Sequence, residues 1–397
     1  MSARVKKQLS PNIFSDGPVS AFAIAAPGLS SLVEQEFREL GIAVDAVDAA
    51  GVAFTATAAE LFTANLWSRV ASRIIVRIAT FTARDFATLE KRAKAIDWAL
   101  VIAPSSAVRL RVTCRKSRLY HSDAVAERVA RAIESRVKGV RVDQRGTDDE
   151  DADEKAQLII VRFDHDECTI SADSSGALLH RRGWRQAIAK APLRETLAAA
   201  MLRACVWNGD RALVDPFCGS GTIGIEAALR ARNIAPGLER AFAMESWSGV
   251  GKDLGAQLRR DARSRAVQGV DIPIVMSDRD AGACAAAVSN AERAGVAGNV
   301  TIVQRALSDV DLTTIADSGL LLTNPPYGQR LSEGADLRGL YSRLGDILRE
   351  GGDWQLAMLA PEQRLEVPLG MRLHRIFKTS NGGIEVSLQA SAGSGQH

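Results

Sequence analysis

LVDPFCGSGTIGIEAAL, residues Leu213 to Leu229, runs from a short apolar strand (Ala212 to Asp215) through a glycine turn into a helix starting near Thr222. Gly219, Gly221 and Gly224 match G-x-G-x-x-G, the spacing of a dinucleotide-binding turn. A tight corner without a ligand is the plain alternative, since glycine is the default residue there. Two features oppose a dinucleotide. Asp215 would bring negative charge close to a pyrophosphate. The acid expected about 20 residues beyond the glycines is also displaced. The next clear strand, in IPIVMSDRD, ends with Asp278 and Asp280 at more than twice that distance. Glu245 is closer, in AFAME, a segment that can pass for a strand.

A third objection is chemical. LLTNPPYGQRL, Leu321 to Leu331, drives an apolar strand into two prolines, with Asn324 before them and Tyr327 after. Prolines cannot continue a central strand, because they lack the backbone donor and fix φ. Asn-Pro also opens ordinary turns. Hydride transfer has no use for such a corner, whereas methylation of an exocyclic base amine does. That nitrogen's lone pair is delocalised into the ring. Accepting hydrogen bonds from both N–H groups favours a pyramidal nitrogen with its lone pair aimed at the methyl donor. Asn324 supplies a side-chain carbonyl, Pro325 a backbone carbonyl held in place by Pro326, and Tyr327 a ring to stack on the base. A sulfonium methyl donor needs positioning and desolvation rather than a general base. S-adenosylmethionine is therefore the expected cofactor. Its cationic end suits Asp215, the glycines admit its methionine part, and Asp278 takes the ribose hydroxyls, with Asp280 and Glu245 as lesser candidates.

After LHRRGWRQAIAKAP (Leu179–Pro192), the apolar strands ALVD, PIVMSD, VTIVQ, GLLLTN and QLAMLA alternate with long helical stretches. That rhythm predicts a mostly parallel sheet covered on both faces, with ligands at the carboxyl ends of its strands. The first half reads differently. Residues 1–19 form a polar tail. AFAIAAPGLSSLVEQEFRELG predicts strand, turn and helix, VAFTATA and RIIVRIATFTA predict strands, and helices are expected over Ala58–Ser68 and Leu89–Ala99. Val108–Thr113 alternates as a strand does. Ser122 reads as the N-cap of a helix with Val125, Val129, Ile133 and Val137 on one stripe. The turn DHDE separates two further strands. Short mixed elements of this kind predict small α+β modules.

No apolar run is long enough to span a membrane, and the start MSARVKKQLSPN lacks a signal-type apolar core. The five cysteines and five histidines form no C-x-x-C pair and no ligand cluster. A cytoplasmic protein without structural metal or disulfides is expected. The net charge of +3 hides an asymmetry: residues 1–185 hold 27 Lys/Arg and 24 Asp/Glu, six of those acids in DDEDADE (Asp148–Glu154). Without that run the first half has a surplus of nine positive charges (27 against 18), whereas the remainder has 23 of each sign. Such a surplus predicts a polyanionic partner such as nucleic acid, and the paired α+β modules favour structured RNA. Arg109, Arg111, Arg115, Lys116 and Arg118 are the expected phosphate contacts. Arg181, Arg182, Arg185 and Lys190 of the linker join them, while Trp184 packs between the units. Scattered charges on a solvated edge are the plain alternative.

DPFCGSGTIGIEAALRARNIAPG, TNPPYGQRL and LHRRGWRQAIAKAPLRETLAAAML together resemble the THUMP-domain RNA methyltransferases that modify guanine N2. CRKSRLYHSDAVAERVARAI is similar to that family's RNA-binding THUMP region. The resemblance implies an α/β chain in which a ferredoxin-like module (20–75) and a THUMP domain (76–178) precede a linker (179–192) and a Rossmann-like class I methyltransferase domain (193–397). It implies methyl transfer from S-adenosylmethionine to N2 of a guanosine in structured RNA, 23S rRNA first and tRNA second. It puts Asp215, Pro216, Cys218, Gly219, Gly221 and Thr222 around the cofactor and Asp278 at the ribose. Pro192, Leu193, Arg194, Glu195 and Thr196 would cover the methionine end, and Asn324, Pro325, Pro326 and Tyr327 would hold the target amine. There is one departure. Ala306, in IVQRALSD, stands where many methyltransferases hold an aspartate near the adenine amine, which leaves Asp309 as the substitute. DNA and protein amino-methyltransferases share the corner, and a binding protein with a decayed site is a further reading that cofactor titration would separate. The catalytic half is expected to fold alone from about Arg181.

Overall fold

The computed structural model describes residues 12–144, 155–186, 193–326, 337–361 and 365–392. Tyr327, Lys190, Pro192 and the acidic run Asp148–Glu154 lie outside the described residues. Eight strands of the first half make one sheet: β1 (Val19–Ile24), β2 (Val44–Asp48), β3 (Gly51–Ala56), β4 (Arg73–Thr82), β5 (Ala107–Arg115), β6 (Arg141–Asp143), β7 (Gln157–Asp164) and β8 (Glu167–Asp173). Their order is β2-β3-β1-β4-β8-β7-β5-β6. The two α+β modules are therefore continuous, because β4 pairs with β1 on one side and β8 on the other.

Four helices accompany this sheet: α1 (Ser30–Glu39), α2 (Ala58–Trp67), α3 (Phe86–Lys94) and α4 (Ser122–Glu134). α2 starts with a capping box, in which the Thr57 hydroxyl accepts from Glu60 N–H and the Glu60 carboxylate accepts from Thr57 N–H. Asp85 caps α3 through Thr88 N–H. α3 ends at Lys94, short of the expected Ala99. A separate 3-10 turn follows at Trp98–Leu100, where the buried Trp98 indole donates to Ala93 O. Ser122 is the first helical residue of α4 rather than its cap, and His121 precedes it without a side-chain cap bond.

The second half contains α5 (Glu195–Ala204), β9 (Ala212–Asp215), α6 (Thr222–Ala231), α7 (Lys252–Ser264), β10 (Ile274–Asp278), α8 (Ala281–Arg293), β11 (Thr301–Gln304), β12 (Ser318–Thr323), α9 (Leu337–Glu350), β13 (Asp353–Ala360), α10 (Glu366–Leu369), β14 (Leu373–Asn381) and β15 (Ile384–Ser391). The sheet order is β11-β10-β9-β12-β13-β15-β14. β9 to β13 are parallel, as expected from their apolar runs. β14 and β15 form an antiparallel hairpin on the edge that the helix–strand rhythm did not announce. AFAME is not a strand: Ala243–Ser246 is a 3-10 turn. No helix among the described residues is long and apolar enough to cross a membrane.

The linker segment is partly buried where it is described: Leu179 is 1%, Arg182 4% and Trp184 5% exposed, while Gly183 and Gln186 face solvent. Arg182 approaches Glu226 at 3.2 Å through Nε and donates to Leu179 O and Arg69 O, each at 2.6 Å. Arg203 of α5 forms a bidentate pair with Glu39 of α1 at 2.6–2.7 Å. Asn65 of α2 donates to Ser174 Oγ at 3.0 Å, and the Trp247 indole donates to Gln157 Oε1 at 2.8 Å. Phe62 and Phe242 meet edge-on at 5.3 Å. One apolar cluster runs through both halves, from Ala21 to Ala390.

Candidate active site

β9 occupies the switch point of the second sheet, with β10 on one side and β12 on the other. The carboxyl ends of these three strands carry Asp215, Asp278 and Thr323. After Asp215 the chain turns back on itself. Cys218 N–H donates to Ser277 O at 3.0 Å, and Gly221 N–H closes the turn on Cys218 O at 2.8 Å. Gly219 and Gly221 have φ of 51° and 86°, which other residues rarely adopt. A Cβ on Gly219 would meet open space, so this corner leaves room for a ligand against the backbone. A Cβ on Gly221 would meet Ala287 of α8 at 3.0 Å, which is a packing reason for glycine. Pro216 and Cys218 are buried in the same turn.

Asp215 is 1% exposed and accepts from Thr323 Oγ1 at 2.7 Å and Phe217 N–H at 3.2 Å. Burial pushes its carboxyl up to about 7, against the pull of these two donors. Asp278 accepts from Gly219 N–H and Asp280 N–H, both at 3.0 Å, which ties the end of β10 to the glycine turn and fixes its carboxylate at the site. The two lesser ribose candidates have other work. Asp280 caps α8 through Gly282 and Ala283 N–H. Glu245 accepts from Phe242 N–H and pairs with Arg259 at 2.7 Å.

Asn324 follows β12 directly, and its Oδ1 is buried with no hydrogen-bond partner among the described residues. A buried carbonyl left without a donor costs free energy unless a ligand supplies one. Pro325 is buried beside it. Since Thr323 binds Asp215, the Asn324 corner and the buried acid are joined by one hydrogen bond across neighbouring strands. Sequence reasoning missed Thr323; its one signal is a hydroxyl closing the apolar run LLLT.

Glu195 and Thr196 lie in the buried first turn of α5, against the start of α6. Arg185 holds them there: its Nη2 donates to Thr222 Oγ1 at 2.6 Å and Leu193 O at 2.9 Å, and its Nε is 3.0 Å from Glu195 Oε1. Arg185 thus braces the glycine turn against the start of α5, and Thr222 is engaged by it. His180, crowded by Arg194, Arg182, Arg181 and Arg185, is driven down to about 3 by burial first and these charges second, so it stays neutral. Arg182, paired with Glu226 in the interior, and Arg109, 9% exposed within β5, are withdrawn from the surface. Arg181 is half-buried, while Arg111, Arg115, Lys116 and Arg118 are exposed. Asp309 is exposed in the turn after β11 and accepts from Ser308 Oγ; Ala306 precedes that turn.

Three domain families match this chain: "RMKL-like, methyltransferase domain" over residues 182–390, "RlmL ferredoxin-like domain" over 20–75 and "THUMP domain" over 83–173. The chain belongs to the RMKL-like methyltransferases. Among RMKL-like relatives, the ribosomal RNA large subunit methyltransferase K/L of Syntrophotalea carbinolica is 38% identical over 94% of this chain. The match covers 53% of that protein, so the chain spans about half the length of its K/L relative. YpsC of Bacillus subtilis, whose name assigns it provisionally to RNA methylation, is 35% identical over 91% of this chain and 93% of its own. A Listeria monocytogenes structure described as a predicted N6-adenine-specific DNA methylase superposes with a TM-score of 0.82 at 30% identity, covering 97% of this chain and 99% of that one. SMU.472, solved with S-adenosylhomocysteine, superposes with a TM-score of 0.82 at 28% identity, covering 96% and 99%. S-adenosylmethionine is the cofactor of this RMKL-like domain.

Proposed function

We propose that this chain transfers a methyl group from S-adenosylmethionine to N2 of a guanosine in structured RNA, with 23S rRNA the favoured substrate and tRNA the second. The observation that carries the reading is the Oδ1 of Asn324 at the carboxyl end of β12, buried and without a hydrogen-bond partner among the described residues. With cofactor bound, the reactive methyl is supplied by its sulfonium. The Asp215 carboxylate faces that cation, Gly219 leaves room for the methionine part, and Asp278 receives the ribose hydroxyls. Asn324 Oδ1 and Pro325 O accept the two amine hydrogens and turn the nitrogen lone pair toward the methyl. Tyr327 stacks on the base. The proton displaced from nitrogen leaves to water after transfer, so no general base is required.

The division of labour proposed is RNA capture by residues 20–178 and chemistry by 193–397, in the cytoplasm. The Listeria structure's title favours adenine N6 in DNA as a second reading; the THUMP match favours RNA. Mass spectrometry of nucleosides from a deletion strain tests both. Loss of N2-methylguanosine from rRNA, restored by the wild-type gene and not by Asn324→Ala, is expected. Unchanged rRNA and tRNA with loss of N6-methyladenine from DNA would replace the proposal with the second reading.

A further inference from the structure

Strand pairing fixes which residues of the eight-stranded sheet share a side. Phe54, which meets Phe37 of α1 at 4.9 Å, stands opposite Ala21, and Ala21 opposite Val76. Val76 stands opposite Ala172, Ala172 opposite Ile159, and Ile159 beside Leu110. This side is apolar from β3 to β5, and it belongs to the cluster that holds the buried residues of α1 to α4.

The other side has a different composition. Arg77 of β4 stands opposite Ser171, Ser171 opposite Ile160, and Ile160 beside Arg111. The next row is Thr80, Thr169, Arg162 and Thr113. Arg77, Arg111, Arg162, Thr80 and Thr113 are exposed, and Arg115 continues the same side of β5. None of these residues joins the apolar cluster. Among the described residues the carboxylates of this side lie toward its ends, and Asp173, at the end of β8, is buried against Arg73. Asp164 sits 3.5 Å from Arg162 at the hairpin end, where Glu167 also lies, and Asp45 accepts from Thr55 at the far edge. The exposed Arg162–Asp164 pair contributes little, so water or another anion displaces it easily. The Arg77 guanidinium stands over the Phe22 ring, 5.4 Å from its centroid.

We infer that this polar side is a docking platform for the phosphodiester backbone of RNA. β4 and β5 are three strand spacings apart, so its guanidinium groups spread over ~14 Å. That suits an extended polyanion better than one small anion. Threonine hydroxyls between the arginines donate to phosphate oxygens without reading sequence. The platform runs into the exposed loop Arg115–Arg118, and it spans both modules, which gives their continuous sheet a purpose. It rests on the RNA reading above.

The test uses the full chain and a transcript of large-subunit rRNA, with affinity measured from 50 to 300 mM salt. The double variant Arg77→Gln/Arg162→Gln is compared with wild type, and S-adenosylmethionine affinity reports that the fold is intact. Removing one guanidinium–phosphate pairing lowers the slope of log K against log salt by about 0.7–0.9. A slope reduced by about 1.5, with cofactor affinity unchanged, is the expected result. Wild-type binding with an unchanged slope in the double variant overturns the platform and leaves the RNA reading standing. Wild type that binds no RNA overturns that reading instead. If the variant loses binding to poly-glutamate but keeps it for RNA, the face serves an acidic protein and the platform is again refuted.

Discussion

With its carboxyl pushed up to about 7 by burial, Asp215 is half protonated in the neutral range before the cofactor arrives. In the proposed site only the carboxylate attracts the sulfonium, so binding is expected to select the ionised form and release a proton below pH 7. The apparent affinity for S-adenosylmethionine is expected to be roughly tenfold weaker at pH 6 than at pH 8. Calorimetry in two buffers of different ionisation enthalpy reads both the affinity and the proton. Asp215→Asn should bind weakly at every pH, without that dependence. The sign for stability is opposite. A raised carboxyl contributes stability that is complete below its ordinary value of 3.8 and is lost as pH climbs through about 7, so this group loosens the cofactor-free protein on the alkaline side. Thr323 Oγ1 is one of the donors holding that carboxyl down. Thr323→Val is therefore expected to move the binding midpoint to higher pH, with Thr323→Ser restoring it; equal midpoints in all three proteins would separate Thr323 from the acid. Asn324→Ala should leave cofactor affinity intact and lower kcat by about 10²–10³-fold, as removal of one preorganised hydrogen-bonding group does. An active Asn324→Ala enzyme would reduce the corner to a turn.

At the scale of elements, two glycines of one motif are expected to fail in different ways. Gly224 lies in α6 against β10, and a Cβ there would stand 2.3 Å from Met276 Sδ. Met276 is fully buried, so Gly224→Ala should overpack the helix against the sheet at about 1–3 kcal/mol, read by urea unfolding. Gly219→Ala meets no atoms. Its cost is about 1–2 kcal/mol of left-handed strain, plus a methyl group in the cofactor's space, and loss of binding should exceed loss of stability. The glycine turn, Asp278 and Asn324 were legible because each motif is local, and β9 to β13 because strands buried on both faces read as unbroken apolar runs. The β14–β15 hairpin escaped because it breaks the helix–strand rhythm, although Asn381-Gly382-Gly383 is a hairpin signal. The Thr323–Asp215 and Arg185–Thr222 bonds depend on which elements become neighbours, and no local pattern carries that. Arg109 and Arg182 look like surface residues by type, and their burial rests on surroundings far away in the chain.

For the whole molecule, the seam between the halves decides what can be cut. Glu226 is fully buried, with Arg182 at 3.2 Å and Arg69 of the first half at 3.9 Å. Arg182→Met would leave that carboxylate only Arg69 at 3.9 Å and lower stability by about 3–5 kcal/mol, measurable by urea unfolding. A fragment beginning near Arg181 loses Arg69, Glu39 and the cover over Phe242 together. Contrary to the expectation from sequence, it should form no cooperative fold, and a sharp thermal transition in that fragment would show the seam to be dispensable. The same seam sets a timetable for synthesis. Arg69 finds Ile234 O 165 residues downstream, and Asn65 finds Met244 179 residues downstream. At about 5–20 residues per second, the ribosome takes roughly 8–35 s to deliver those partners. Until then the nascent first half presents Phe62 and Arg69 to the cell uncovered, so a chain that stalls before Phe242 displays a raw surface by which quality control can recognise it.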